Sequence, residues 1–408
     1  MKNFSTLMSA VCIAAGIAAA PAMAQTAKPI RIGVPAAMQL QVGRDTQDAI
    51  KMAIDDLNAK GGVLGRKLEM VVADETENPE TGISAIKKLT ADEKVDVLIG
   101  GYTSGVTLAQ LPHISAAKTI YIGVGAASPA ITAKVKTDYD NYKYIFRVGP
   151  LHSGHQAREL TNYISTFVKG ELGISKIAIV GENATWVQGL APLLQKGAIA
   201  AGVDVRMTEY FDSQTSDFSP LFSKVKDSGA QYLIVILSHA SSDVFAKQWH
   251  DSRFPMPYGG IDVKSMDGDF CERIGGKSVG EMAVNFAVRA PLTPKTIPFF
   301  DEFRKRTTRS PVYTAFGAND SVYIYAEAVQ RAKSTDPSAV IKELEKTSYT
   351  GIPGIIEFDE MHDVKPGTAT FKGPAYLLAQ WRDKCAREVV YPKSMRTAEF
   401  VYPAWIKK

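Results

Sequence analysis

The stretch from Ile30 to Asp74 limits what this chain can fold into more than any other. It reads IRIGV, a short loop, QVGRDTQDAIKMAIDDLNAKGGVLGRK and then LEMVVAD. Ala49, Met52, Ala53, Ile54 and Leu57 recur near the 3.6-residue helical period and form one apolar face, while Asp48, Lys51, Asp55 and Asp56 take the other. Gly61 and Gly62 supply the C-terminal stop. The pattern predicts a strand, a helix and a second strand parallel to the first. In such units, loops and helix N-termini gather at the carboxyl edge of the sheet, where ligands are held.

The same rhythm continues. A helix is expected over Glu80–Leu89, then the apolar run VDVLIG (Val95 to Gly100), the helix TLAQLPHISAAK, the strand TIYIGV, the loop GAASP and the strand YIFRVG ending at Gly149. A second series follows the Gly149-Pro150 break. It comprises a helix over His155–Lys169, KIAIVG, the loop ENATW, a helix, VDVRMTEY, a helix, YLIVIL, a helix and PYGGID. Two doubly wound α/β blocks meeting near Arg147–Leu151 are therefore expected. After Gly280, EMAVNFAV reads as a strand, helices are expected around Ile297–Thr308, Ala318–Ala332 and Ala339–Thr347, and the remainder reads as β-rich.

Residues 1–24 read as a cleaved export signal. Lys2 is the charged start, Leu7 to Ala20 is an apolar core too short to span a bilayer, and Ala22-Met23-Ala24 is an A-x-A cleavage site. Cys12 is a poor lipoprotein site because Val11 precedes it. The mature chain is expected to be exported, soluble and periplasmic. The full chain of 408 residues suffices for two domains with full cores after the signal leaves. A net charge of +4 and the lack of basic runs with interleaved aromatics argue against a nucleic-acid partner. Beyond the signal only Cys271 and Cys385 remain. In an oxidising compartment such a pair either bridges or stays buried as two small apolar groups.

In order and spacing, the phrases DLNAKGGVLGRKLEMVVAD, VLIGGYTSGVT, GAASPAIT, KIAIVGENATWVQGL and YTGIPGIIEFDEMHDV resemble those of periplasmic solute-binding proteins of the leucine/isoleucine/valine type. These are the receptor components of ABC importers. The resemblance covers essentially the whole mature chain. It implies a type I periplasmic binding fold, with two lobes joined by three crossings that close on ligand like a hinge. It places one lobe at residues 25–149 plus 283–357 and the other at 150–282 plus 358–408. It also implies a small amino-acid or organic-acid ligand, permease subunits as partners, no cofactor and a monomeric state.

A buried carboxylate needs hydrogen-bond donors. GYTSGVT offers Thr103, Ser104 and Thr107 where a buried strand passes into a helix, a place suited to an anion. The resemblance puts the ligand carboxylate on Ser104, on the backbone of Gly125 and Ala126, and on Ala127 or Ser128, with Thr103 alongside. Ser104 and Ser128 also suit helix capping, which is compatible with ligand contact. Trp186, on the loop after a strand, is expected to cover an apolar ligand group, with burial under its own helix as the alternative. The resemblance then places Ser238 or His239 at the cleft and Asp262 opposite a ligand ammonium. Departures from the family pattern fall at Gln41, at His152 and at Asn319-Asp320, where an aromatic, an acidic residue and a Tyr-Asp pair are usual. They leave the choice between an amino acid and a simple carboxylic acid open.

Catalytic constellations are missing. The 6 His are scattered, and there is no HExxH, CxxC, G-x-S-x-G, phosphate-binding Walker loop or G-x-G-x-x-G after the first strand. A binding protein, for transport or for sensing, is the expected class rather than an enzyme.

Overall fold

Strands whose every residue is apolar and buried need cover on both faces, and helices supply it. Val97–Gly100 and Tyr232–Leu237 are buried throughout their lengths, and each lies inside a sheet flanked by helices. The computed structural model describes Met1 and residues 28–284, 289–374 and 376–406. Apart from Met1, the expected export signal at 1–24 lies outside the described residues, as does the second half of EMAVNFAV. Among the described residues, no helix is long and apolar enough to cross a membrane.

The first sheet contains β1 (Ile30–Ala36), β2 (Leu68–Asp74), β3 (Val97–Gly100), β4 (Ile120–Gly123) and β5 (Ile145–Arg147), in the order β2-β1-β3-β4-β5. All its neighbours are parallel. The second contains β6 (Lys176–Glu182), β7 (Asp204–Phe211), β8 (Tyr232–Leu237), β9 (Tyr258–Asp262) and β10 (Met282–Val284). A two-stranded ribbon of β11 (Tyr349–Thr350) and β12 (Ile355–Ile356) comes next in the chain. The strands β13 (Leu378–Trp381) and β14 (Arg387–Tyr391) then return antiparallel to the edge of the second sheet, whose order is β14-β13-β10-β9-β8-β6-β7. The strand order reverses beside the first strand of each block, which opens a crevice at the carboxyl ends.

The helix Gln41–Ala59 packs its apolar face, including Ala49, Ile50, Met52 and Ala53, into the first core. It lies against the helix Tyr313–Ala332. That second helix begins five residues before the expected Ala318. Tyr313, Thr314, Phe316 and Gly317 are poor helix formers, but all are buried, and tertiary packing overrides propensity there.

Two expected domain boundaries move. Met282–Val284 is a full strand of the second sheet, so the second crossing lies beyond residue 284 rather than at 282/283. The segment after Glu357 does not leave the first lobe at residue 358. Phe358 packs on Phe146, the His362 ring stacks on Phe146 at 4.1 Å, and Asp363 bridges to β5 beside Arg147.

Arg147 and Asp363 form a fully buried ion pair. Nε of Arg147 donates to Asp363 Oδ1 at 2.9 Å and a second guanidinium nitrogen donates to Oδ2. The remaining donors reach the carbonyls of Ala126 and Ser128, each at 2.9 Å, and the Thr132 hydroxyl. Burial pushes the Asp363 carboxyl up, but the Arg147 charge outweighs it and holds the group below its ordinary 3.8.

The alternatives left open for the two cysteines resolve to a disulfide. Cys271 and Cys385 are bonded across 114 residues, and Cys271 is fully buried beside Phe270, Ile274 and Trp381.

Two stability effects follow. Asp363→Ala leaves the Arg147 guanidinium buried without its counter-charge and should cost about 3–5 kcal/mol in denaturant titration. Asp363→Asn, which keeps hydrogen-bond capacity, should cost less. The double variant Cys271→Ala/Cys385→Ala should lose up to about 4–5 kcal/mol through the freed loop. Reduction of the parent should lower the thermal midpoint in the same direction, which calorimetry reads.

Candidate functional site

The carboxyl ends of the strands of both sheets face one cavity of about 240 Å³. From the first lobe come Glu77, Tyr102, Thr103, Ser104, Gly125, Ala127 and Tyr313. From the second come Gln156, Asn183, Thr185, Trp186, Ser238, His239 and the apolar trio Ile261, Val263 and Met266. Among the described residues, its lining contains no Lys or Arg.

Two helix N-termini meet there. Thr103 is the N-cap of the helix Ser104–Ala117, and Ala184 is the N-cap of Thr185–Ala200. Neither N-cap side chain bonds its helix. First-turn amides have no intrahelical acceptor, so the N–H groups of Ser104, Gly105 and Val106 are donors at the positive end of a helix. Ser104 Oγ accepts the Ser128 N–H at 3.0 Å, which leaves its own hydrogen to donate.

Carbonyl groups around the cavity are already engaged. The Gly125 carbonyl accepts from the Tyr313 hydroxyl at 3.0 Å, and the Ala127 carbonyl accepts from the Ser153 amide and hydroxyl at 2.8 and 3.0 Å. The Ser238 carbonyl accepts from the Tyr102 hydroxyl at 3.1 Å, a bond that runs from one lobe to the other.

Not all of the residues singled out from the sequence converge. Thr103, Ser104, Gly125, Ala127, Trp186, Ser238 and His239 line the cavity. Trp186 is 9% exposed, and its indole N–H donates to Ser238 Oγ at 3.2 Å, so it forms wall rather than lying wholly beneath its helix. Ala126 and Ser128 stand just behind, their carbonyls held by Arg147; Ser128 caps the next helix by accepting the Ala130 amide.

Two expectations are corrected. Gln41 begins a helix outside the cavity, where its amide donates to Asp45 and to the Ser310 carbonyl. Asp262 is fully buried and does not face the cavity. Its carboxylate accepts from the Ser242 hydroxyl at 2.6 Å and from the amides of Lys264 and Ser265 at 3.0 and 3.2 Å. It therefore braces the loop after β9. Burial holds its carboxyl above the ordinary 3.8.

The acidic groups at the cleft are Glu77 and Glu182, which the sequence reading passed over. Glu182 ends β6 and is fully buried. Its carboxylate accepts from the Ser238 hydroxyl, from His239 Nδ1 at 2.8 Å and from the His239 amide at 3.1 Å. His239 Nε2 stands 3.7 Å from Glu77 Oε1 on the opposite lobe. Burial disfavours the charged imidazole, but the Glu182 hydrogen bond and the charges of Glu182 and Glu77 overcome that and raise its pKa above 6.5. Both acids end strands or open the loops that follow them, so the carboxyl-edge rule used for Ser104 would have found them.

The geometry defines a solute-enclosing cleft between two α/β lobes, with hydrogen-bond donors on one wall and apolar and aromatic surface on the other. Residues 29–384 match the family model described as periplasmic binding protein, and the chain belongs to that family. It is 25% identical over 370 residues to the leucine-, isoleucine-, valine-, threonine- and alanine-binding protein of Pseudomonas aeruginosa, covering 89% of this chain and 94% of the relative. A solved Silicibacter pomeroyi structure assigned to branched-chain amino acid ABC transport superposes with a TM-score of 0.80 at 22% identity, over 93% of this chain and all of that one. A solute-binding protein of Rhodopseudomonas palustris BisB5, solved with 3,4-dihydroxybenzoic acid, gives 0.75 at 19% identity over 88% and 94% of the two chains. The family is one of solute receptors rather than enzymes.

NMR titration of the imidazole checks the His239 arrangement. Its pKa should lie above 6.5 in the parent and fall in Glu182→Gln. Because the folded value is raised, the stabilisation by this pair is complete below the unfolded pKa and is lost as pH rises through the folded one. An unshifted imidazole would contradict the pairing.

Proposed function

We propose that the chain is the extracytoplasmic receptor of an ABC importer, enclosing a small carboxylate-bearing solute between its lobes by hinge closure. The observation that supports this reading best is the donor cluster of Ser104, Gly105 and Val106 opposite Trp186, in a cavity bridged by Tyr102 and Ser238. The first-turn amides and the Ser104 hydroxyl take the carboxylate, and Trp186, Ile261 and Met266 cover an apolar body. Ser104, Thr103, Gly125, Ala127, Trp186 and His239 are the proposed contacts. Ala126 and Ser128 support them from behind. The relatives' names favour amino acids, and the dihydroxybenzoate-bound neighbour favours aromatic acids. Export to the periplasm and docking on permease subunits complete the proposal, with the solute handed on at the permease.

A thermal-shift screen of amino acids and carboxylic acids should find at least one strong stabiliser. A solute that binds only the closed native form adds about 2.7 kcal/mol at one hundred times its Kd. Small-angle scattering should show the radius of gyration falling with the same solute. Conversion of the solute to a product would overturn the receptor reading, and stimulation of a reconstituted transporter's ATPase by the loaded protein separates transport from sensing.

A further inference from the structure

We propose that the cleft selects a carboxylic acid without an α-ammonium group, because His239 already occupies the carboxylates that an ammonium would meet. This deepens the receptor reading above and rests on it. An amino acid brings one anion and one cation, and a buried cation needs a counter-charge with free acceptor capacity. Each candidate partner in the cleft already faces a group of the protein, and the two buried ones are hydrogen-bonded. Asp262 turns its oxygens to Ser242 and to the amides of Lys264 and Ser265. Glu182 gives one oxygen to His239 Nδ1 and the Ser238 hydroxyl and the other to the His239 amide. Glu77 faces His239 Nε2 at 3.7 Å across the cleft. The chain's own imidazole thus lies between the two glutamates, bridging the lobes where a ligand ammonium would otherwise do so.

The groups facing this imidazole from every packed element are Glu182 at the end of β6, Glu77 on the opposite lobe and Lys264 after β9. The two glutamates favour its charged form and the lysine opposes it. A ligand ammonium entering here would meet the His239 ring instead of a free carboxylate.

The neutral acceptors point the same way. The carbonyls of Gly125, Ala127 and Ser238 are each hydrogen-bonded by protein hydroxyls or amides. Among the described lining side chains, the buried acceptor without a protein partner is Gln156 Oε1, whose amide nitrogen donates to the Leu151 carbonyl at 2.8 Å. A neutral amide oxygen suits a hydroxyl or phenol donor on the solute better than it suits a charged ammonium. The cavity therefore fits an acid with an apolar or aromatic body, with or without a hydroxyl group.

The test uses matched pairs on the unaltered protein: phenylalanine against 3-phenylpropionate and 3-phenyllactate, and leucine against 4-methylpentanoate and 2-hydroxy-4-methylpentanoate. Calorimetric titration should give the acid or hydroxy acid of the better series about tenfold or more tighter than its amino acid. His239→Gln, which keeps a hydrogen-bonding side chain and removes the ring between the two glutamates, should narrow that ratio by loosening the hold on them. An amino acid binding tighter than its des-amino and hydroxy partners would overturn this inference and leave the receptor reading standing. Failure of every acid in both series, and in the broader screen above, would overturn both.

Discussion

The buried pair of Arg147 and Asp363 is the interaction on which the arrangement of the binding loops depends. Burying two charges is favourable only when every donor and acceptor finds a partner. Here they do: Asp363 takes two guanidinium nitrogens and the Thr132 hydroxyl, while Arg147 also draws in the carbonyls of Ala126 and Ser128. One side chain thus joins β5, the GAASP loop, the helix that follows it and the segment leading to the last crossing. With the loop carbonyls held behind, the Ser128 amide reaches Ser104, and the donor wall of the cleft takes its shape.

That wall is complementary to an anion although, among the described residues, the cleft lining contains no Lys or Arg. The positive potential comes from helix N-termini and oriented amides, which are fixed by the fold and need no flexible side chain to be ordered on binding. Of the two acidic groups, Glu77 lies on the donor side and Glu182 on the opposite lobe, with His239 between them. With Glu182 hydrogen-bonded to His239, the second lobe presents mostly Trp186, Ile261, Val263 and Met266 to a solute. The Tyr102–Ser238 bond and the His239–Glu77 approach both run between lobes.

The strand and helix pattern was legible because buried parallel strands and amphipathic helices write their periods directly into the residues, as in VDVLIG, YLIVIL and the helix from Gln41. Ser104 and the GAASP loop were legible as cleft residues because each sits at the carboxyl end of a strand, whereas Trp186 and His239 were placed there by the family resemblance. Asp262 sits at such an end too, yet it faces inward. Which way a side chain turns there depends on local partners: Ser242 lies 20 residues away, and no spacing rule announces that it will satisfy the Asp262 carboxylate. Glu182 and Glu77 escaped notice for the converse reason, since their roles arise only when β8 brings His239 between them.

The sequence by itself determined the two α/β blocks, the doubly wound character of each, and the strand edges at which a solute is met. Those features follow from short-range periodicity and from turn chemistry. The disulfide between Cys271 and Cys385, the return of Phe358–Val364 to the first lobe, the early start of the helix at Tyr313 and the pairing of His239 with Glu182 and Glu77 were decided by tertiary structure alone. Each depends on groups far apart in the chain, whose meeting is set by how the sheets and crossings pack. Local propensity carries no record of that packing, because the energies that select it are the burial and mutual satisfaction of charges and polar groups between elements.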